Sequence, residues 1–252
     1  MAKISSKTAI EKTDKSAKIL GVRLNSTSAG SVLAEASQSI RQKRQFFLVT
    51  PNPEFLVLAQ IDPEFKKILN SADLAIPDGF GLVLASRFLQ TQPRISQTVP
   101  GADVVEQILG QAAANHWSVG VVGARRGVVA EQKLTLERLK NRYQGLKIEC
   151  LEQSPDRPRD IILACQGMGE QERWITANIG RTKAWVFMGI GGSLDFLTGF
   201  AQRPPLTWRR FGLGWLWRLL QHPSRHFKRV FRAVIVFSWL VLQEKLSKKS
   251  SA

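Results

Sequence analysis

The chain has 252 residues and a formal net charge of +16 at pH 7, from 36 Lys and Arg against 20 Asp and Glu. Its length suffices for one large domain or a domain with an appendage, and its 44% hydrophobic residues exclude a wholly disordered chain. From Arg203 to the end there are eleven Lys or Arg and one acidic residue, Glu244. This charge predicts a polyanionic partner: nucleic acid, anionic lipid or a phosphorylated ligand.

The N-terminal half is predicted to alternate between strands and helices. Residues 1–17 are rich in Lys, Ser and Thr and are predicted to be disordered. A helical period of apolar residues predicts helices, and short continuous apolar runs predict strands. The predicted strands are 19–24, 46–49 and 74–76, and the predicted helices are 31–43, 54–69 with a break at Pro63, 81–89 and 102–115.

The alternation continues to about residue 200. Strands are predicted at 118–123, 146–151, 160–167 and 184–192, with helices at 128–143 and 170–178 between them. Apolar strands that alternate with helices predict an α/β, Rossmann-like fold over 18–200, with a parallel sheet covered by helices on both faces. Residues 201–252 break this pattern, and they predict a helical, basic, membrane-associating appendage.

The two cysteines and the apolar runs bear on the compartment. Cys150 and Cys165 lack the spacing of a zinc site or a redox motif, so they are predicted to be buried thiols in a reducing, cytosolic environment. The polar N-terminus has no apolar core, so we expect no secretory signal. The longest apolar run of the tail, 233–242, is far shorter than the roughly 20 residues that span a bilayer.

Polar side chains follow two predicted strands where each one ends. Thr50 and Asn52 follow the strand 46–49, and Asp78 follows the strand 74–76. Strand ends of an α/β sheet face the ligand crevice, so these side chains are expected to meet in one site. Asp78 could accept a proton from a sugar hydroxyl, and the other two could bind diphosphate or sugar hydroxyls. The alternatives are a turn aspartate and a simple strand-to-helix connection.

Two later turns are weaker candidates. Gly191 and Gly192, followed by Asp195, form a glycine-rich turn whose backbone N–H groups could hold a phosphate; tight packing of helix on strand is the alternative. Gln171 follows another predicted strand and could orient a sugar or a base. Ordinary helix N-terminal chemistry explains that stretch equally well.

The basic tail has two interpretations. Arginines interleaved with aromatic residues are typical of nucleic-acid binding, and four of the seven tryptophans lie after residue 200. The same composition is typical of an interfacial membrane helix. The aliphatic residues of 230–242 favour the membrane, because a nucleic-acid groove does not need them, although part of this face could pack on the body.

Taken together, the motifs resemble those of the WecG/TagA/CpsF glycosyltransferases (glycosyltransferase family 26). The resemblance covers roughly residues 19–246 and follows the order of the motifs in that family. The motifs are TPNPE, NSADLAIPDGFGLV, PGAD, GMGEQE, GIGGSLDFLTG and RPP followed by GLGWLWRLL.

The resemblance implies an inverting, metal-independent hexosyltransferase of cell-surface polysaccharide synthesis. Its donor would be a UDP-sugar, commonly UDP-N-acetylmannosamine, with no further cofactor. Its acceptor would be a polyprenyl-diphosphate-linked sugar at the inner face of the cell membrane, where the enzyme would be a cytoplasmic, peripheral protein. The family forms oligomers, so a homo-oligomer is compatible with the resemblance, whereas nucleic acid is not expected as a partner.

The resemblance also assigns roles to residues. Asp78 matches the general base, and Thr50, Asn52 and Gln171 match active-site polar positions. Basic residues of the tail fall where the family holds the diphosphate leaving group or the lipid diphosphate; these are Arg218, Arg225 and Lys228. Gly191 and Gly192 could support the leaving UDP, and Asp195 of the same segment is a further candidate for substrate binding.

Two other functions stay open. Departures from the family pattern at Thr98 and Gly169 are compatible with a protein that binds a nucleotide sugar without catalysis. The net charge is compatible with a nucleic-acid-binding module.

Overall fold

The computed structural model describes residues 16–151, 157–205, 207–208, 214–221 and 223–250. Within these ranges, the structure describes only the backbone of eight residues: 214, 215, 218, 224–226, 249 and 250. The first strand begins at Ser16, so two residues of the segment predicted to be disordered are ordered. Residues 1–15, the rest of that segment, lie outside the described residues.

A six-stranded, fully parallel sheet forms the centre of the described structure. Its strand order is β4-β3-β8-β7-β5-β6. The predicted α/β, Rossmann-like fold is therefore confirmed. The strands are β3 Phe46–Val49, β4 Leu74–Ala75, β5 Ser118–Val122, β6 Lys147–Cys150, β7 Ile161–Ala164 and β8 Val186–Gly189.

Helices cover both faces of this sheet. Successive side chains of a strand point to opposite faces, and in β3 Phe47 and Val49 join one hydrophobic core while Phe46 and Leu48 join another. The helices are α1 Ala29–Arg41, α2 Pro53–Ile61, α3 Pro63–Ser71, α4 Phe80–Leu89, α5 Gly101–Ala114, α6 Val129–Arg142, α7 Glu170–Asn178, α8 Ser193–Leu197, α9 Gly214–Gln221, α10 Pro223–Phe231 and α11 Phe237–Ser250.

The predicted break at Pro63 is confirmed by its local chemistry. Asp62 lies between α2 and α3, and its Oδ1 accepts a hydrogen bond from the Phe65 N–H at 2.8 Å. This carboxylate satisfies an N–H that has no partner inside α3, so the second helix starts there.

The prediction of one strand over 19–24 is wrong. The segment is a hairpin of two antiparallel strands, β1 Ser16–Ile19 and β2 Val22–Asn25. Leu20 and Gly21 form the turn with φ values of 52° and 73°. Glycine adopts this left-handed conformation without strain, which allows the chain to reverse within two residues.

The C-terminal part of the chain packs on the body. Helix α10, a π-helical segment Arg232–Val236 and α11 follow one another without interruption. Phe237 and Val241 are buried in the core that α2 and α4 also line. The Glu244 carboxylate accepts a hydrogen bond from the Leu20 N–H at 2.8 Å. This half of the predicted appendage therefore contributes to the hydrophobic core.

The described helices were also compared with the requirements of a bilayer-spanning segment. None of them combines the length and the apolar character that such a segment needs.

Candidate active site

The loops that carry Thr50 and Asp78 meet at the carboxyl edge of the sheet. Strands β3 and β4 are parallel neighbours, so both loops leave the sheet on the same side. The Asp78 N–H donates a hydrogen bond to the Pro51 carbonyl oxygen at 2.8 Å, and Asp78 itself is partly buried. The two loops thus converge, as their positions at strand ends predicted, and the roles of their side chains stay predictions.

Asn52 caps helix α2. Its Oδ1 accepts hydrogen bonds from the Glu54 N–H at 2.9 Å and the Phe55 N–H at 3.2 Å. These bonds satisfy two N–H groups that lack partners within the helix. Any contact of Asn52 with a ligand would therefore come from its amide N–H groups rather than from its carbonyl oxygen.

Thr50 is buried against the start of α5. A β-carbon added to Gly101 would lie 3.1 Å from Thr50 Cγ2 and 3.3 Å from Thr50 Oγ1. The loop that precedes α5 is also hydrogen-bonded to the Asp78 loop, because the Val99 N–H donates to the Pro77 carbonyl oxygen at 2.9 Å. The PGAD segment, to which sequence reasoning assigned no site residue, thus closes around Thr50 and the Asp78 loop.

Gln171 connects two elements of the edge. Its side chain is only 3% exposed; its Oε1 accepts from the Gly191 N–H at 2.8 Å, and its Nε2 donates to Glu172 Oε1 at 2.6 Å. This turn was predicted to hold a phosphate through its backbone N–H groups. The N–H of Gly191 already donates to Gln171, so it does not point freely at a ligand. Gly192 is exposed at the same turn.

Glu172 is a buried carboxyl beneath that turn. Desolvation by burial raises its pKa from the ordinary value of 4.5 to about 6, against the opposing hydrogen bonds from Gln171 and from the Gly169 N–H, the latter at 2.7 Å. Sequence reasoning assigned it no role in the site. Its burial follows from the packing of α7 on β7 and β8, which local pattern does not show.

Asp195 forms an ion pair with Arg125. Arg125 Nη1 lies 3.2 Å from Asp195 Oδ1, while its Nε donates to Glu131 at 2.7 Å. The guanidinium also lies 4.2 Å from the ring centroid of Phe200. Sequence reasoning missed Arg125, although two adjacent arginines in a short loop between Gly123 and Gly127, at a strand end, are a visible signal.

That arginine loop has an unusual backbone. Arg125 and Arg126 have φ values of 49° and 52°, and they lie between Gly123 and Gly127 at 69° and 82°. Non-glycine residues with positive φ are strained and are concentrated at functional sites. The loop follows β5, so it belongs to the same edge of the sheet.

The predicted basic residues of the tail are placed only in part. Lys228 lies on α10 and is exposed. Arg218 lies on α9 and Arg225 on α10, but their side chains are outside the described part of the structure.

Two other tail arginines, which sequence reasoning missed, contact the body. Arg229 Nε donates to Glu54 Oε2 at 2.9 Å, and Arg232 Nη1 lies 3.9 Å from Glu54 Oε1. Glu54 belongs to α2, which begins directly after the candidate site loop.

Of the two cysteines, Cys150 is buried, as predicted, whereas Cys165 is only partly buried. Across the described ranges, no cluster of three His, Cys, Asp or Glu side chains has the spacing to hold a metal ion.

Comparison with known proteins gives a consistent result. The model of the glycosyl transferase WecG/TagA/CpsF family matches residues 17–251. An N-acetylglucosaminyldiphosphoundecaprenol N-acetyl-beta-D-mannosaminyltransferase of Bacillus spizizenii is 30% identical over 196 residues, or 73% of this chain and 74% of that protein. The protein of that name from Staphylococcus aureus strain MW2 is 28% identical over 246 residues, or 90% and 92% of the two chains.

Proposed function

This chain belongs to the WecG/TagA/CpsF family of glycosyltransferases, and we propose that it transfers an N-acetylmannosamine-type sugar from a UDP-sugar to a polyprenyl-diphosphate-linked N-acetylglucosamine. The product would be an intermediate of a cell-envelope polysaccharide. The observation that carries the proposal is the placement of Asp78, a partly buried carboxylate in a loop that is hydrogen-bonded to the Thr50–Asn52 loop at the carboxyl edge of the sheet.

Asp78 is the proposed general base. The acceptor hydroxyl oxygen forms a bond to C1 of the donor sugar as the bond from C1 to the UDP oxygen breaks, and Asp78 takes the hydroxyl proton. Attack on the face opposite UDP inverts the configuration at C1. Thr50 and the amide of Asn52 would orient the sugar or the diphosphate beside it.

The geometry of the Asp78 loop supports a positioned base. Gly79 has a φ of 117°, and a β-carbon there would lie 3.3 Å from Pro53 Cδ. Side chains other than glycine are strained at this φ, so the loop conformation depends on glycine. A rigid loop holds the carboxylate in place before the acceptor arrives, which lowers the entropic cost of the reaction.

The leaving UDP needs positive charge or dipoles around it. We propose that basic side chains supply them without a metal ion, because guanidinium groups bind diphosphate oxygens in a bidentate geometry. Arg218, Arg225 and Lys228 are the candidates from the tail. Gly192 lies in the turn after β8 and Asp195 in the first turn of α8, where they could contact the donor.

An exposed apolar face supports a position at the membrane surface. Large apolar side chains recur every three or four residues along α10 and α11, which places them on one face of the helix. They are Phe227, Phe231, Ile235, Trp239, Leu242 and Leu246, all between 47% and 63% exposed.

Helix α4 extends this apolar surface. Phe80, Leu84 and Phe88 are 40% to 50% exposed, and Lys245 Nζ of α11 lies 6.0 Å from the ring centroid of Phe88. Apolar residues flanked by Lys and Arg are typical of helices that lie in the interface of anionic membranes. We propose the inner face of the cell membrane as the location, where the lipid-linked acceptor would be present. A homo-oligomer stays a prediction from the family.

A panel of UDP-sugars tests this function. Each donor is incubated with a polyprenyl-diphosphate-linked N-acetylglucosamine, with and without anionic liposomes, and UDP release and the lipid product are measured. We expect turnover with UDP-N-acetylmannosamine or a close analogue, increased by liposomes. Donor binding without turnover for every sugar would instead indicate a non-catalytic binding protein. A higher affinity for RNA or DNA than for liposomes would argue against the membrane surface.

A further inference from the structure

Glu54 is a buried acidic residue that joins the C-terminal helix, meaning the continuous helical segment 223–250, to the body. Its side chain is 7% exposed in the first turn of α2, and its two oxygens face Arg229 at 2.9 Å and Arg232 at 3.9 Å. Burial of a carboxylate is costly without compensating charge. The two arginines supply that charge, and the positive end of the α2 dipole adds to it.

The position of Glu54 connects this ion pair to the candidate active site. The Glu54 N–H donates to Asn52 Oδ1 at 2.9 Å, so the residue whose carboxylate binds the arginines also fixes the Asn52 side chain. The Asp78 N–H bonds to Pro51 in the same loop at 2.8 Å. A displacement of the start of α2 would therefore reach both Asn52 and Asp78.

The C-terminal helix also contacts the start of α4, which follows the Asp78 loop. A β-carbon added to Gly81 would lie 3.0 Å from Pro53 Cγ and 3.8 Å from Phe237 Cε1. Phe237 is 4% exposed and lies one turn beyond the arginines along the helix. The helix thus holds α2 through Glu54 and packs, through Phe237, against the start of α4, which directly follows the Asp78 loop.

We propose that Glu54 is a positioning residue, which clamps the C-terminal helix through Arg229 and Arg232 and so sets the relative placement of Asn52 and Asp78. The ion pairs that form the clamp are observed in the structure. Its consequence for turnover rests on the proposed function, in which Asp78 is the base.

The test uses two variants of the full-length protein. Glu54→Gln keeps the shape of the side chain and removes its charge, and Arg229→Gln removes the charge of a side chain that is half-exposed. Hydrogen exchange of residues 223–250, thermal unfolding, and kcat and KM for donor and acceptor are measured. We expect faster exchange in 223–236 and a kcat about ten-fold lower, since small displacements of reacting groups reduce rates strongly. The donor KM should change little.

A charge reversal provides the rescue. Glu54→Arg alone should be more damaging than Glu54→Gln, whereas Glu54→Arg combined with Arg229→Glu should recover part of kcat and of the exchange protection. Glu244→Gln is the matched control, because Glu244 fastens the same helix to Leu20 at a different point. It should affect exchange near its own position and leave kcat close to that of the wild type.

Two outcomes would overturn the proposal: wild-type exchange and kcat in both Glu54→Gln and Arg229→Gln, or an equal loss of kcat in Glu244→Gln, which would indicate a general effect of helix docking. If the wild-type protein shows no transfer at all, the proposed function fails. The exchange measurements still decide whether the clamp exists.

Discussion

The side-chain carbonyl oxygen of Gln171 accepts a hydrogen bond from the backbone N–H of Gly191 at 2.8 Å. Sequence reasoning predicted that both residues bind substrate, and the structure bonds them to each other. Gln171 therefore holds the turn after β8 in place through this hydrogen bond. One of its two Nε2–H groups already donates to Glu172, so a ligand could be contacted by the second N–H or by sharing the carbonyl oxygen.

Gly189→Ala is expected to disturb this arrangement. A β-carbon at position 189 would lie 2.6 Å from Gln171 Nε2 and 2.7 Å from Glu172 Oε1, closer than non-bonded atoms approach. Overpacking of this kind costs about 1–3 kcal/mol, to be measured by urea unfolding. Gly110→Ala is the control, because a β-carbon there has no neighbour within 4 Å. Equal unfolding midpoints for Gly189→Ala and the wild type would contradict the prediction.

Asp78→Asn is expected to abolish sugar transfer while donor binding persists. The amide keeps the size of the side chain but cannot take the acceptor proton, and general base catalysis contributes about 10²–10⁴-fold. Turnover is measured by UDP release, and donor binding by calorimetry. Glu64→Gln, a change of an exposed acid on α3, serves as the control. Wild-type turnover by Asp78→Asn would remove Asp78 from the role of base.

Because of Glu172, the free energy of unfolding is expected to fall as the pH rises from about 4.5 to about 6. Its pKa is about 6 in the folded protein and 4.5 ordinarily, so between these values the folded state holds a proton that the unfolded state has lost. The free energy of unfolding therefore decreases from about pH 4.5 to 6, by about 2 kcal/mol for this group. Burial of the charged form is the cause.

Unfolding in urea at several pH values checks this. The stability difference between Glu172→Gln and the wild type should change across pH 4.5–6 and level off above it. Glu170→Gln, an exposed acid on the same helix, should show no such change. A difference for Glu172→Gln that is constant with pH would count against the raised pKa.

Ile235→Gln with Trp239→Gln is expected to weaken binding to anionic vesicles by about ten-fold or more. Both side chains are 56% exposed, and each apolar side chain that leaves water contributes about 1.5–3 kcal/mol. Co-sedimentation with vesicles is the measurement. Leu134→Gln on α6 is the control, since α6 packs on the opposite core of the sheet. Equal vesicle binding by the double variant and the wild type would exclude this face.

Local pattern predicted the central elements well. The strand 46–49 and the helix 170–178 have the predicted bounds, because a doubly buried strand must be continuously apolar and a helix start carries its own capping signals. In contrast, the pattern predicted a single strand where the structure has a hairpin over 16–25. The pairing of its two strands depends on a turn, which hydrophobic periodicity does not indicate.

The sequence by itself determined the fold class, the family and the loops that carry Thr50, Asn52 and Asp78, because strand ends and their polar residues are local features. Only the tertiary structure decided that Gln171 binds Gly191, that Arg125 faces Asp195, and that Glu54 receives Arg229. Residues 54 and 229 are 175 positions apart, and they meet because the C-terminal helix packs on α2. Partners of buried charges follow from the packing of distant elements, and a linear pattern contains no information on which elements those are.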